Sequence, residues 1–149
     1  MKINWHCKKW KELSNDELYS ILELRSEVFV VEQNCIYQDI DTKDKKAIHL
    51  LGYLNNNLIA YSRCFKEKQY FNEASFGRAV IKKNQRNKGF GEELVKKSLE
   101  IIKNNYKSKV VKISAQAHLE KFYNKNGFKS KGGCYLEDGI PHVSMFLIN

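Results

Sequence analysis

Proline is nearly absent from this 149-residue chain, which holds only Pro141, and no Gly-, Ser- or Pro-rich stretch or internal repeat interrupts it. A flexible linker of the usual composition is thereby excluded, and the length suits one domain, residues 1–149, with its own core. Long apolar runs are missing too. The amino-terminal MKINWHCKKW interleaves charged and apolar residues, unlike a signal peptide or a membrane span, so a cytoplasmic protein without membrane contact is expected. The four cysteines, Cys7, Cys35, Cys64 and Cys134, form no CxxC pair, which argues against a metal site and gives no disulfide framework. Arginine is equally scarce: of 26 basic residues only Arg25, Arg63, Arg78 and Arg86 are arginines, so the net charge of +9 is carried by lysine. Readers of bases and phosphates favour the bidentate arginine fork, and the surplus therefore reads as a solvated lysine surface rather than a nucleic-acid footprint.

What is present is the composition of a folded protein, 42% hydrophobic and 12% aromatic. Ile3, Trp5 and Cys7 alternate with polar neighbours as in a half-buried strand. Ser14 or Asn15 can cap a helix whose apolar positions run from Leu18 to Phe29 and which ends near Val30. Glu32 to Lys46 reads as a long loop with one short helical turn, and Asp39, Asp41 and Asp44 make it acidic, a setting suited to a cationic acceptor or simply a solvated loop. Strands are expected over 49–54 and 58–65, joined by an Asn55–Asn57 turn, and over 74–81. An amphipathic helix follows, with Glu92/Lys96 and Glu93/Lys97 spaced to pair on its wet side. A strand at 110–115, a short helix at 118–126 stopped by Gly127, and a hairpin around Asp138-Gly139 complete a mixed α/β (α+β) domain.

The segment Val80 to Glu92 combines a strand end, a basic turn with Lys82, Lys83, Arg86 and Lys88, two glycines and a helix start. The free N–H groups of a helix's first turn attract anions, and glycines admit a pyrophosphate close to the backbone. Two glycines alone would equally be a flexible turn. Neither GxxxxGK[ST] nor GxGxxG with an acidic ribose partner occurs, which disfavours ATP and NAD.

Arg86-Asn87-Lys88-Gly89-Phe90-Gly91 resembles the [Q/R]xxGx[G/A] acyl-CoA loop of the GNAT superfamily of N-acetyltransferases, and Phe122-Tyr123-Asn124-Lys125-Asn126-Gly127-Phe128 resembles its second signature. Val28 to Cys35, Tyr37 to Asp41 and Glu137 to His142 are similar to an ElaA-type subgroup. The resemblance implies a GNAT fold: a central bent mixed sheet of six or seven strands, splayed between the fourth and fifth, flanked by about four helices. It also implies acetyl-CoA as cosubstrate, a primary amine as acceptor and direct attack in a ternary complex. Backbone groups of Ala79, Val80 and Ile81 are then expected to meet the pantetheine and thioester, and Arg86, Asn87, Lys88, Gly89, Phe90, Gly91 and Glu92 to hold the pyrophosphate. A homodimer follows from family habit alone.

The same resemblance places Tyr123 near the CoA sulfur as general acid, a role a phenol suits because it is protonated at neutral pH. Its spacing with Leu119 and Phe122 fits packing as well. For the base the candidates are Glu32, where a partly buried carboxylate would titrate high, and His118 at the strand–helix junction, followed by His49 and His142. Acceptor binding or a structural role remains open for each. A basic nucleic-acid-binding module and a non-catalytic CoA sensor are the alternatives, the first lacking an RNP aromatic pair, a GXXG loop or a helix-turn-helix signature.

Overall fold

The computed structural model describes all 149 residues. It contains two four-stranded sheets. The first has the order β1 (Asn4–Lys9), β2 (Ile48–Leu54), β3 (Asn57–Phe65), β4 (Ser75–Ile81), and the second joins β5 (Val110–Gln116) to β8 (Ile140–Ile148), which also pairs with β6 (Lys129–Ser130) and β7 (Tyr135–Glu137). Every ladder is antiparallel. The sheets touch through one parallel bridge, Ala74 with Val111, and the Lys112 N–H donates to the Ala74 carbonyl at 2.9 Å. Beyond that point β4 and β5 part, so the splay expected between the fourth and fifth strands is present. Eight strands and three α-helices replace the expected six or seven strands and four helices. The additional short strand, β6, is only two residues long and follows Gly127 and Phe128 without any alternation that would betray it.

Helix α1 (Asn15–Arg25) starts at a capping box in which Ser14 accepts from the Glu17 N–H and Glu17 accepts from the Ser14 N–H. Instead of ending near Val30 it widens into a π-helical stretch, Ser26–Glu32. Ile21, Leu24 and Val28 pack on Leu51, Tyr61 and Val80 on one face of the first sheet. Helix α2 (Phe90–Tyr106) covers the other face, its Leu94, Val95 and Ile102 meeting Ile48, Leu50, Cys64, Phe76, Ile113 and Ala115. The expected Glu92–Lys96 and Glu93–Lys97 pairs do not form, because tertiary partners take both carboxylates: Lys125 reaches Glu92 at 3.1 Å and Trp5 Nε1 donates to Glu93 at 2.7 Å. Helix α3 (Glu120–Lys125) follows a tight turn at Ala117–Leu119. Asn55 and Asn56, with φ of 50° and 64°, make the β2–β3 turn as their tolerance of left-handed geometry allows. No helix is long and apolar enough to cross a membrane.

The acidic loop is not an open cation receptor. Asp39, Asp41 and Asp44 fold onto arginines that are themselves buried. Arg25 holds Asp39 at 2.9 Å and Asp44 at 2.7 Å, and Arg63 holds Asp44 at 2.9 Å and Asp41 at 2.6 Å. Arg78 joins through Asp39 at 2.7 Å. His49 lies beneath this network, fully buried: its Nε2 faces the Asp44 carbonyl at 2.8 Å and so carries the proton, and its Nδ1 accepts from the Tyr61 hydroxyl at 2.7 Å. Burial lowers its titration and keeps it neutral, a structural role.

Removing one member of a buried ionic network strands the other, at a cost of about 3–5 kcal/mol. Asp44→Asn is therefore expected to lower stability by that order in urea unfolding. Burial by itself would raise the Asp41 carboxyl, but its bonds to Arg63 outweigh this and hold it at about 2. Since unfolded aspartate titrates near 3.9, roughly, the Asp41 contribution is present above that pH and is lost as the pH falls towards the folded value. Asp41→Asn should accordingly flatten the acid limb of the stability curve.

Candidate functional site: a gap crossed by one segment

Strand β4 carries an extra residue against β3, since Tyr61 pairs with Val80 but Arg63 with Gly77. Within this bulge Arg78 takes a φ of 48°, a conformation unfavourable for a side chain bearing Cβ. Tertiary bonds hold it there: Arg78 Nε donates to Asp39 Oδ1 at 2.7 Å, a second nitrogen donates to the Asp39 carbonyl at 3.0 Å, and the guanidinium lies 5.6 Å from the Tyr37 ring centre. The bulge bends β4 away from β5, and past Ala74 neither strand has a ladder partner across the gap. Ala79, Val80 and Ile81 form the free edge of β4, although the Ile81 carbonyl already accepts from Arg86 Nε at 2.9 Å.

The loop after β4 delivers α2 to the open end. Asn87 and Gly89 are both left-handed, with φ of 63° and 83°. No side chain caps α2, and the first main-chain bond there runs from the Glu93 N–H to the Gly89 carbonyl, so the amides of Phe90, Gly91 and Glu92 lack intrahelical partners. The two glycines serve different ends. A Cβ on Gly89 would meet nothing within 4 Å, so its requirement is the positive φ, whereas a Cβ on Gly91 would sit 3.3 Å from the Phe122 ring. Gly91 thus lets α3 press against the start of α2, and the Lys125–Glu92 pair closes the same contact.

Tyr123 reaches the floor of the gap from α3, between Phe76 of β4 and Phe128, with ring centres 6.5 and 5.8 Å away. It is 8% exposed, and burial pushes its phenol up to about 12. Arg63 Nε is the one sealed side-chain nitrogen or oxygen without a partner, so the unbonded Tyr123 hydroxyl keeps an opening.

The remaining sequence candidates divide. Glu32 lies at the outer end of the π stretch with its side chain 25% exposed, and its carboxylate receives Arg86 bidentately at 2.7 and 3.1 Å. His118 is exposed on its turn. Gln33, next to Glu32, accepts from Gln116 at the end of β5, at 3.3 Å. Cys35 donates to the Asp138 carbonyl in the β7–β8 turn at 3.4 Å, and Tyr37 donates to Asp39 at 3.1 Å. Residues 32 to 37 therefore form a strap across the mouth of the gap, tied to both rims and to the hairpin. Gln33, Gln116 and Arg78 were not singled out from sequence for this role. Ser114 and Gln116 do leave a signal, as polar positions alternating with core-facing Ile113 and Ala115.

Residues 11–148 match the family model of the acetyltransferase (GNAT) domain. The chain belongs to the GNAT acetyltransferases. Protein ElaA of Escherichia coli (strain K12) is 41% identical over 145 residues, covering 96% of this chain and 95% of that protein. The crystal structure of Escherichia coli ElaA overlays with a TM-score of 0.91 at 40% identity, over 98% and 99% of the two chains. An acyl-CoA N-acyltransferase from Pseudomonas aeruginosa gives the same TM-score, 0.91, at 36% identity, over 98% of this chain and 99% of that one. A more distant N-acetyltransferase from Thermoplasma acidophilum, solved in complex with coenzyme A, shares the fold at 18% identity and a TM-score of 0.73, over 100% of both chains.

In this GNAT chain Gly89→Ala should fold but lose about 1–2 kcal/mol, the usual cost of a left-handed residue with a Cβ. Denaturant unfolding of the two proteins measures that difference directly.

Proposed function

We propose that this chain, acting as one domain over residues 1–149, moves the acetyl group of acetyl-CoA to a primary amine within a ternary complex. One observation carries the reading: the unpaired edges of β4 and β5 open beside an uncapped helix start reached through two left-handed residues. An extended thioester arm can lie against a free strand edge while the pyrophosphate meets the Phe90, Gly91 and Glu92 amides. Asn87 and Gly89 shape that turn, and Lys88 lies beside it on the Gln85 side chain at 2.9 Å. The Pseudomonas relative, described as an acyl-CoA N-acyltransferase, supports the donor class, and the Thermoplasma neighbour supports coenzyme A as a ligand of this fold.

In this reading the neutral amine nitrogen attacks the thioester carbonyl carbon, a C–N bond forms and the C–S bond breaks. The leaving thiolate takes the Tyr123 hydroxyl proton, the proton released from nitrogen goes to solvent, and the Tyr123 phenolate regains a proton from solvent. Burial keeps the Tyr123 phenol protonated far above neutral pH, so its donor form is present throughout the neutral range. Arg86 is held by Glu32 and Ile81, so its part is to fix the loop while the main chain binds the diphosphate. Glu32 is then a positioning residue and His118 a surface group, and the base is sought elsewhere.

Saturating acetyl-CoA, about a hundred times its Kd, should stabilise the wild type by about 2.7 kcal/mol and raise Tm accordingly. Gly89→Glu, which brings a carboxylate to the anion site, should abolish the shift, and an undiminished shift would remove the loop from donor binding. Tyr123→Phe should keep the Tm shift and lower turnover about 100-fold, with CoA thiol release as the readout. Between pH 6 and 9, roughly, turnover should show no limb from loss of the Tyr123 proton, given its raised titration.

A further inference from the structure

The strap side of the second sheet carries a polar cluster that the donor site does not use. Val143 and Met145 of β8 and Ile113 and Ala115 of β5 point into the core, so strand alternation sends Ser114, Gln116, His142 and Ser144 to the opposite face. Tyr135 lies directly across from His142 in the β7–β8 register, and Glu137, two residues further along β7, shares its face. Gln116 pairs with His142 in the β5–β8 register and bonds to Gln33, while the neighbouring Asp138 carbonyl accepts from Cys35. The cluster thus stands against the strap, alongside the β5 rim of the gap.

With the His142 ring neutral, the cluster's hydrogen bonding is one donor short. The Tyr135 hydroxyl and Ser114 Oγ are in contact, and with Tyr135 donating, the Ser114 proton goes to Glu137 Oε1 at 3.2 Å. On the other side His142 Nδ1 lies 2.7 Å from the Ile140 carbonyl, which only accepts, so Nδ1 carries the proton of the neutral ring. The bare Nε2 then faces Glu137 Oε2 at 3.4 Å, one lone pair towards another. A group with two or more N–H donors satisfies both atoms at once. Glu137 is anchored through one oxygen yet 44% exposed, whereas His142 is 8% exposed, so the ring is fixed and the carboxylate open. Nε2 is not among the sealed atoms.

Charge favours a cation at this place. The other carboxylates bonded at the strap are spent: Glu32 on Arg86, Asp39 on Arg25 and Arg78. Glu137 has no lysine or arginine partner, and His142 is its one basic neighbour.

We propose that the acceptor enters as a protonated primary alkylamine whose ammonium is held by Glu137, and that His142 Nε2 takes its proton before attack. The inference rests on the acetyl-transfer reading. The balance is simple: the ammonium gives one proton to Nε2, yielding a neutral amine and an imidazolium held by the Glu137 carboxylate and the Ile140 carbonyl. The amine then forms the C–N bond as above, and the imidazolium returns its proton to water. Tyr135 and Glu137 are the titratable groups that face the ring. An aryl amine, uncharged at neutral pH, needs neither step.

Two measurements decide this. The first is CoA thiol release at fixed acetyl-CoA, with n-butylamine and aniline as acceptors. A charge-assisted bond of the usual strength predicts that Glu137→Gln lowers kcat/KM for n-butylamine about 10- to 100-fold, mainly through KM, and leaves aniline within about twofold. An unchanged acetyl-CoA-induced Tm shift in the variant shows that it folds and binds the donor. The second is titration of n-butylammonium chloride into ring-labelled protein by NMR, where the His142 ring resonances should move in the wild type but not in Glu137→Gln. A stationary His142 signal in the wild type, or equal n-butylamine kinetics in the two proteins, overturns the proposal. If acetyl-CoA fails to raise the wild-type Tm, the transfer reading falls instead, and the ammonium site is judged by the ring titration alone.

Discussion

The bond from Arg78 to Asp39 is the constraint on which the site depends. Arg78 occupies a left-handed conformation in mid-strand, which an isolated strand would not adopt, and the guanidinium is held by both the carboxylate and the carbonyl of Asp39. Asp39 is in turn fixed by Arg25, whose other arm reaches Asp44, which Arg63 shares. Six charged side chains thus convert an otherwise irregular loop into a rigid brace between α1 and β4. The brace holds the bulge, and the bulge turns β4 away from β5. Buried ion pairs are weak evidence for net stability because desolvation offsets much of their attraction. Here their effect is geometrical, since they select one backbone path over others of similar burial.

The same loop continues backwards into the strap, so the β4 and β5 rims of the gap share one set of supports. Glu32 to Arg86, Gln33 to Gln116 and Cys35 to Asp138 join segments far apart in sequence, and Tyr37 ties the end of the strap to Asp39. A displacement of the π-helical end of α1 would therefore reach the α2 loop, the β5 rim and the β7–β8 turn together. This gives the Glu32–Arg86 pair a positioning role that neither residue suggests alone. It also sets the cluster at Glu137 and His142 against the strap, beside the β5 rim.

Much of the secondary structure was legible because local chemistry and final environment agree. Ser14, one of the two residues expected to cap the first helix, does so, Asn55 and Asn56 made their turn, and the apolar stripe of α2 faces the core. The uncapped start of α2 was legible for a similar reason: free main-chain amides need little beyond glycines and a helix start. The acidic loop misled because aspartates that wait for buried arginines look the same in sequence as aspartates that wait for a ligand. Glu92 and Glu93 were misassigned to neighbours on their own helix, since Lys125 and Trp5 approach only after the chain has folded.

Sequence alone determined the family, the order of the longer strands and helices, and the glycine-containing segment that opens α2, because each is written in contiguous residues with their own conformational preferences. Tertiary structure decided where β4 bends, which carboxylates are consumed by arginine, and that Ser114, Tyr135, Glu137 and His142 share one face. Those outcomes depend on register, burial and the pairing of charges across distant segments, and such quantities exist only once the chain has closed on itself.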